Sequence, residues 1–202
     1  MKKIFTLFTI VLLSINSFGQ GDSIKGTIYS FVPQYLINRG IRVDLEKQIA
    51  SNHLLQICPQ FYLADKKEGS DFLHEENSFN YLIGGGLSLY DKIFAFDDFK
   101  KYGLYLSYGA TYNFFHIEYI DNPGSNPISA TAKIHKVGGD LIIGYQVFIR
   151  EIVSLDFYTG VGIRYSNMDT NGTDMNRFNT GYYGYNYTGN IMLLGFRIGV
   201  IL

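Results

Sequence analysis

From residue 20 onward, apolar and polar residues change places at every second position over long stretches. No apolar run there reaches the roughly 20 residues that a membrane-crossing helix needs. A period of two belongs to a β-strand whose two faces meet unlike surroundings. Ile41-Arg42-Val43-Asp44-Leu45-Glu46 is the clearest short case, with apolar odd positions and charged even ones. Across 103–119, Leu104, Leu106, Tyr108, Ala110, Tyr112 and Phe114 share a face opposed by Ser107, Gly109, Thr111 and Asn113. Near 137–149, Val137, Leu141, Ile143, Tyr145, Val147 and Ile149 oppose Gly138, Asp140, Gly144 and Gln146. The segments at 152–167 and from Met192 to Leu202 repeat the pattern.

Weaker segments near 25–35, 53–64 and 78–90 bring the expected number of strands to eight. Tight turns near 48–52 and 150–152 alternate with long polar connections at 65–77, 121–131 and 168–186. A polar stretch at 91–102 reads as a lower connection, and Asn38-Arg39-Gly40 as a short upper one. Short turns at one end and long loops at the other predict an all-β, eight-stranded antiparallel up-and-down transmembrane β-barrel. Pairing His116 with His135 keeps both faces of the 103–149 hairpin chemically consistent, and that register is the expected one.

Which face points outward is decided by composition. The polar phase is mostly Gly, Ser, Asn, Thr and Gln, with single charges and hardly any Lys. Such a face suits a narrow bore better than a water-exposed exterior. Glycines 84, 86, 109, 138, 144, 160, 162, 195 and 199 all fall in it. The apolar phase therefore faces lipid, and Tyr29, Tyr35, Phe61, Tyr81, Tyr112, Phe114 and Tyr165 are expected in interfacial girdles. A secreted soluble barrel that binds a lipophile is the reverse reading. It would carry a charged exterior, and a Gly-x-Trp signature is impossible in a chain without Trp.

Met1-Lys2-Lys3, the apolar run Ile4–Ile15 and Ser17-Phe18-Gly19 have the basic, apolar and small-x-small order of a secretory signal. Residues 1–19 are expected to be cleaved, leaving 20–202 as one barrel domain. The mature chain then carries 15 basic against 18 acidic side chains, which gives no electrostatic footprint for nucleic acid. A single Cys excludes an intramolecular disulfide framework and a Cys-rich zinc site.

With these features in place the chain resembles the small eight-stranded outer-membrane barrels of Gram-negative bacteria, of the OmpX and OmpA-barrel type. Gly195-Phe196-Arg197-Ile198-Gly199-Val200-Ile201-Leu202 looks like the C-terminal signal read by the barrel-insertion machinery, although Leu193 and Leu202 stand where that signal usually has a polar and an aromatic residue. The resemblance implies a porin-like cell-envelope protein in the outer membrane, in contact with membrane lipid and lipopolysaccharide and monomeric.

The inward phase carries Arg42, Arg164 and Arg197 with Asp44, Glu46, Asp140 and Asp156, flanked by Gln56, Gln60 and Gln146. A near-balanced set of charges in a narrow lumen predicts a salt-bridged plug; a selective channel favours rings of one sign. Tyr182, Tyr183, Tyr185 and Tyr187 lie among Asn, Gly and Thr and are the candidates for a surface contact.

No catalytic set is nominated. Gly-x-Ser-x-Gly is absent, His53 sits at the lower turn, and His74-Glu75-Glu76 lacks a second His. Gly84-Gly85-Gly86 reads as small-residue packing, Cys58 as an inert inward residue, and Asn171-Gly172-Thr173 as an incidental sequon. His116 and His135 offer at most two ligands, so neither a metal nor another cofactor is expected. The expected role is non-enzymatic: a structural or surface-interaction module. A small channel or transporter and a lipid A-modifying outer-membrane enzyme are the alternatives.

Overall fold

The structure is a computed structural model and describes residues 26–67, 79–95, 102–121, 127–150, 152–179 and 184–202. The signal segment and Tyr182 and Tyr183 lie outside the described residues, as does His74-Glu75-Glu76. Eight strands follow in chain order: β1 (Thr27–Phe31), β2 (Gly40–Ala50), β3 (His53–Lys67), β4 (Phe79–Phe94), β5 (Tyr102–Asp121), β6 (Ile128–Ile149), β7 (Val153–Thr170) and β8 (Gly189–Ile201). Each pairs antiparallel with its sequence neighbour, and β1 pairs with β8 to close the ring.

The outer and inner phases are those the alternation predicts. Leu106, Ile143 and Val161 are 45%, 48% and 57% exposed, whereas Asp156 is 1% exposed. The β5–β6 register differs from the expected one by two residues: His135 pairs with Phe114, and His116 with Lys133. A two-residue slip keeps every side chain on its face, so polarity patterning cannot detect it. Bulk decides it instead. The observed register sets the Tyr105 ring over Gly144, and a Cβ at Gly144 would overlap the phenol.

The first strand is shorter than 25–35. It ends at Phe31, and Pro33 starts a 3-10 helix (Pro33–Asn38) that closes through Arg39 in the left-handed region at φ 55°. Proline has no N–H to offer a ladder and a φ already suited to a first helical turn. At the other end β4 runs to Phe94, through residues expected to form a polar lower connection.

Strands β5 and β6 show where the surroundings change. Their lower parts are apolar outside, from Leu104 to Phe114 and from Val137 to Ile149. Above His116 and His135 most of the apolar phase moves inside, with Ile120 and Ile128 exposed at the strand ends. There Phe115, Ile117, Tyr119, Ala130, Ala132 and Ile134 form a buried core with Met168, Phe178 and Tyr185, while Glu118, Lys133 and Asp169 face outward. The upper half is folded like a water-soluble sandwich and the lower half like its inverse.

Candidate functional site: a charged lumen between apolar ends

The lumen is layered. At the bottom, Ile28, Leu54, Phe94 and Phe148 are buried within one apolar cluster that also includes Tyr105, Ile142 and Tyr158. At the top sits the aromatic group of Tyr62, Phe115 and Tyr185, with the ring centroid of Phe115 5.0 Å from both others. The charges lie between.

Alternation along β2 projects Arg42, Asp44 and Glu46 inward in succession. Arg42 grips Asp44 with two guanidinium nitrogens and donates a further bond of 2.9 Å to the Tyr35 hydroxyl. Arg197, on β8, places Nε 2.8 Å from Asp44 Oδ2 as an ion pair without hydrogen-bond alignment. Its Nη1 donates to Asp156 Oδ2 at 2.7 Å. Asp156 also accepts from the Tyr105 hydroxyl at 2.6 Å and from Lys92 Nζ at 2.9 Å. Lys92 then reaches Glu46 Oε1 at 3.0 Å, and Gln56 bridges Asp44 and Glu46. Gln146 adds bonds to Glu46 and Ser154. The chain Arg42–Asp44–Arg197–Asp156–Lys92–Glu46 is thus joined charge to opposite charge.

Higher up, Arg164 holds Asp140 with two nitrogens, at 2.6 and 3.1 Å, while Tyr90 donates to the same carboxylate at 2.6 Å. Within this layer Arg42, Lys92, Arg164 and Arg197 face Asp44, Glu46, Asp140 and Asp156, four cations against four anions; above it Lys136, also in the inward phase, donates to the Gly184 carbonyl at 2.6 Å. The sequence reading had seven of these charges and missed Lys92, because it placed β4's last turn of alternation in a loop. The signal was available: Lys92 is in phase with Ser88 and Tyr90, both inward and buried. Neutrality matters because an uncompensated charge here costs several kcal/mol, roughly, and every pair lies in low dielectric.

Several other candidate positions read differently in three dimensions. Tyr185 is not an exposed contact residue. It is 9% exposed and turned inward, because its ring packs edge-on against Phe79 and Phe115. Burial raises its phenol to about 12. Tyr187 is half-buried and donates to the Asn190 carbonyl at 2.9 Å. Tyr35 leaves the outer girdle for the lumen, drawn to the Arg42 guanidinium 5.2 Å above its ring. Tyr29, Phe61, Tyr112 and Tyr165 do face outward.

His116 and His135 do not face each other. His135 stacks 5.0 Å from Phe114 and bonds the Tyr112 hydroxyl at 2.8 Å, while His116 stands 3.9 Å from Glu118. His53 engages Asp91 at 3.0 Å on the lower rim. Cys58 is a buried free thiol. Among the described residues no group of three or more His, Cys, Asp and Glu could hold a metal ion, and no helix is long and apolar enough to cross a membrane.

No family model matches the chain, and no curated protein matches it. A solved structure of a major outer membrane protein from Thermus thermophilus is similar at 13% identity and a TM-score of 0.47, covering 88% of this chain and 98% of that one.

Proposed function

We propose that this chain is an integral outer-membrane β-barrel whose lumen is plugged by salt bridges, and that it serves a structural or surface-interaction role. The observation that carries the reading is the inversion within β5 and β6. One continuous strand is apolar outside below His116 or His135 and mostly apolar inside above it. A strand immersed in a single solvent keeps its apolar phase on one face; a change of face part-way marks the level where lipid gives way to water.

The outward positions of the other strands agree. No charged side chain faces outward between Leu55 and Leu63 on β3, Tyr81 and Leu89 on β4, or Val153 and Tyr165 on β7. Each span reaches at least the lower end of the roughly 9–11 residues a tilted strand needs to cross hydrocarbon. Charges return at the edges: Lys47, His53 and Asp91 below, Asp65, Lys133 and Asp169 above. The charge-balanced network, floored and roofed by apolar side chains, favours a plug over a conducting pore.

In this reading the partners are bilayer lipid, lipopolysaccharide at the upper rim, and the insertion machinery during assembly, and the barrel is a monomer. Cell fractionation with a heat-modifiability gel tests it. Outer-membrane recovery and a shifted band on boiling are expected. A protein that purifies without detergent and migrates identically before and after boiling overturns it.

A further inference from the structure

The wall of this barrel is incomplete on one side. Strand β1 pairs with β8 only from Ile28↔Ile201 to Phe31↔Ile198, although β8 continues up to Gly189. Extending that register sets Pro33 opposite Phe196, at a position where β8 turns its N–H and C=O toward β1, as Leu202 does toward Thr27. Proline has no hydrogen to return. On its other side the chain keeps its ladder to β2 one step further, Val32 N–H donating to the Arg42 carbonyl at 3.2 Å, and past the 3-10 helix the Arg39 carbonyl accepts from Leu63 N–H of β3 at 3.3 Å. Among the described residues nothing pairs with the open edge of β8 at Met192, Leu194 and Phe196. Met192 and Leu194 are 81% and 82% exposed, well above Val161 at 57% on the fully paired wall.

The lining of this seam is unlike the rest of the bore. In the inward phase of β8, Arg197 and Gly199 are buried, whereas Ile191, Leu193 and Gly195 above them are half-buried, with Leu193 resting against the lower apolar cluster. Facing Ile191 and Leu193 on β7 are Gly162 and Gly160; beyond Gly160 lies Ile142, and beyond Gly162 lies Asp140 with its Arg164 partner. This is a short apolar strip beside the charged layer, and outside it Leu194 of β8 and Leu36 and Ile37 of the neighbouring 3-10 helix are exposed. At its inner end Gln34 Nε2 donates to the Tyr158 hydroxyl, while Gln34 Oε1 is buried with no hydrogen-bond partner among the described residues.

We infer that this seam is a lateral binding site for the acyl chain of a membrane amphiphile. The chain enters between β8 and the 3-10 helix and lies along Ile191 and Leu193. The inference rests on the membrane-embedded reading above, which sets the seam within the hydrocarbon band, above the Phe31↔Ile198 pair. Lipid is the occupant because both lips and the inner strip are apolar and continuous with the outer belt. The unpartnered Gln34 oxygen is an acceptor at the inner end of the strip; a free fatty acid can donate its protonated carboxyl to it, whereas a phospholipid acyl chain occupies the strip without that bond.

The chain contains no Trp, so a single introduced Trp is a unique reporter. Full-length Leu193→Trp, with Ile191→Trp as a second variant should the first fail to fold, is reconstituted in vesicles of phosphatidylcholine brominated along its acyl chains. Leu141→Trp on the outer wall and Phe148→Trp, enclosed at the bottom of the lumen, are the references. Bromine quenches on close approach, so Leu193→Trp should lose emission comparably to Leu141→Trp while Phe148→Trp keeps most of its own. Adding lauric acid to unbrominated vesicles should shift the Leu193→Trp emission and leave the other two unmoved. Quenching of Leu141→Trp without that of Leu193→Trp or Ile191→Trp shows a seam closed to lipid and overturns the inference; a cross-linked dimer in that case assigns the edge to a second copy. Failure of Leu141→Trp to quench overturns the membrane reading itself, and the inference with it.

Discussion

Lys92 Nζ stands 2.9 Å from Asp156 Oδ2 and 3.0 Å from Glu46 Oε1, with all three side chains fully enclosed. One ammonium on β4 thereby ties β2 to β7 across the bore. Gln146 accepts its third hydrogen bond at 3.1 Å. A primary ammonium has three donors, and each has an acceptor here.

Lys92→Met keeps the stem and removes the charge, which leaves Glu46 and Asp156 facing each other with less compensation. The expected loss is about 3–5 kcal/mol, the usual cost of breaking one side of a buried pair. The midpoint of the heat-modifiability transition in detergent measures it. The double variant Lys92→Met with Glu46→Gln should recover part of the loss, because it restores neutrality; an additive result would show that the two residues do not interact.

Asp156→Ala and Arg164→Ala should both lower the unfolding midpoint, but unequally. Asp156 is the shared acceptor of Lys92, Arg197 and Tyr105, and its removal takes one of two anionic partners from each of two buried cations. Arg164 pairs with one carboxylate, Asp140, which keeps its bond from Tyr90 when the arginine is removed. The expected order is a large effect at Asp156, about 3–5 kcal/mol, and a smaller one at Arg164, about 1–3 kcal/mol. Equal or absent shifts would remove the network from the account of stability.

Gly144→Ala should destabilise by about 1–3 kcal/mol as an overpacked site, because its new methyl overlaps the Tyr105 phenol that bonds Asp156. Gly139→Ala is the contrasting case. It points outward, and a Cβ there has the Gly109 carbonyl at 3.6 Å as its nearest contact, so little change is expected. Urea titration of the two variants in micelles distinguishes them.

Leu141→Arg puts a cation on the outer wall, at a residue that is 50% exposed. In a bilayer this should cost about 2–4 kcal/mol if the site lies near the midplane, while His135→Arg at the rim should cost about 0–1 kcal/mol. Folding equilibria in lipid vesicles measure both. Equal tolerance at the two positions would place the belt in water.

Voltage across a planar bilayer should drive no stepwise current through the reconstituted protein. The charged layer is neutral, and apolar side chains close it above and below. Regular single-channel steps would favour the channel alternative over the plug.

Strand type, strand number and the inward position of Arg42, Asp44, Glu46, Asp140, Asp156, Arg164 and Arg197 were legible in the chain, because a period of two allocates faces without knowledge of any partner. The same period hides what depends on partners. A slip of two residues leaves every face unchanged, so the pairing of His135 with Phe114 had to come from the fit of Tyr105 over Gly144. Lys92 looked like loop charge until the strand that carries it was extended to Phe94. Tyr185 looked exposed in a polar loop, yet aromatic packing turned it inward. The opening beside β8 arose in the same way: Pro33 ends β1 locally, but only ring closure shows that the missing rungs leave Leu194 and the Ile191–Leu193 strip without a strand beside them. Local alternation sets which side of a strand is greasy; register, closure and pairing are relations between distant segments, and three-dimensional packing alone decides them.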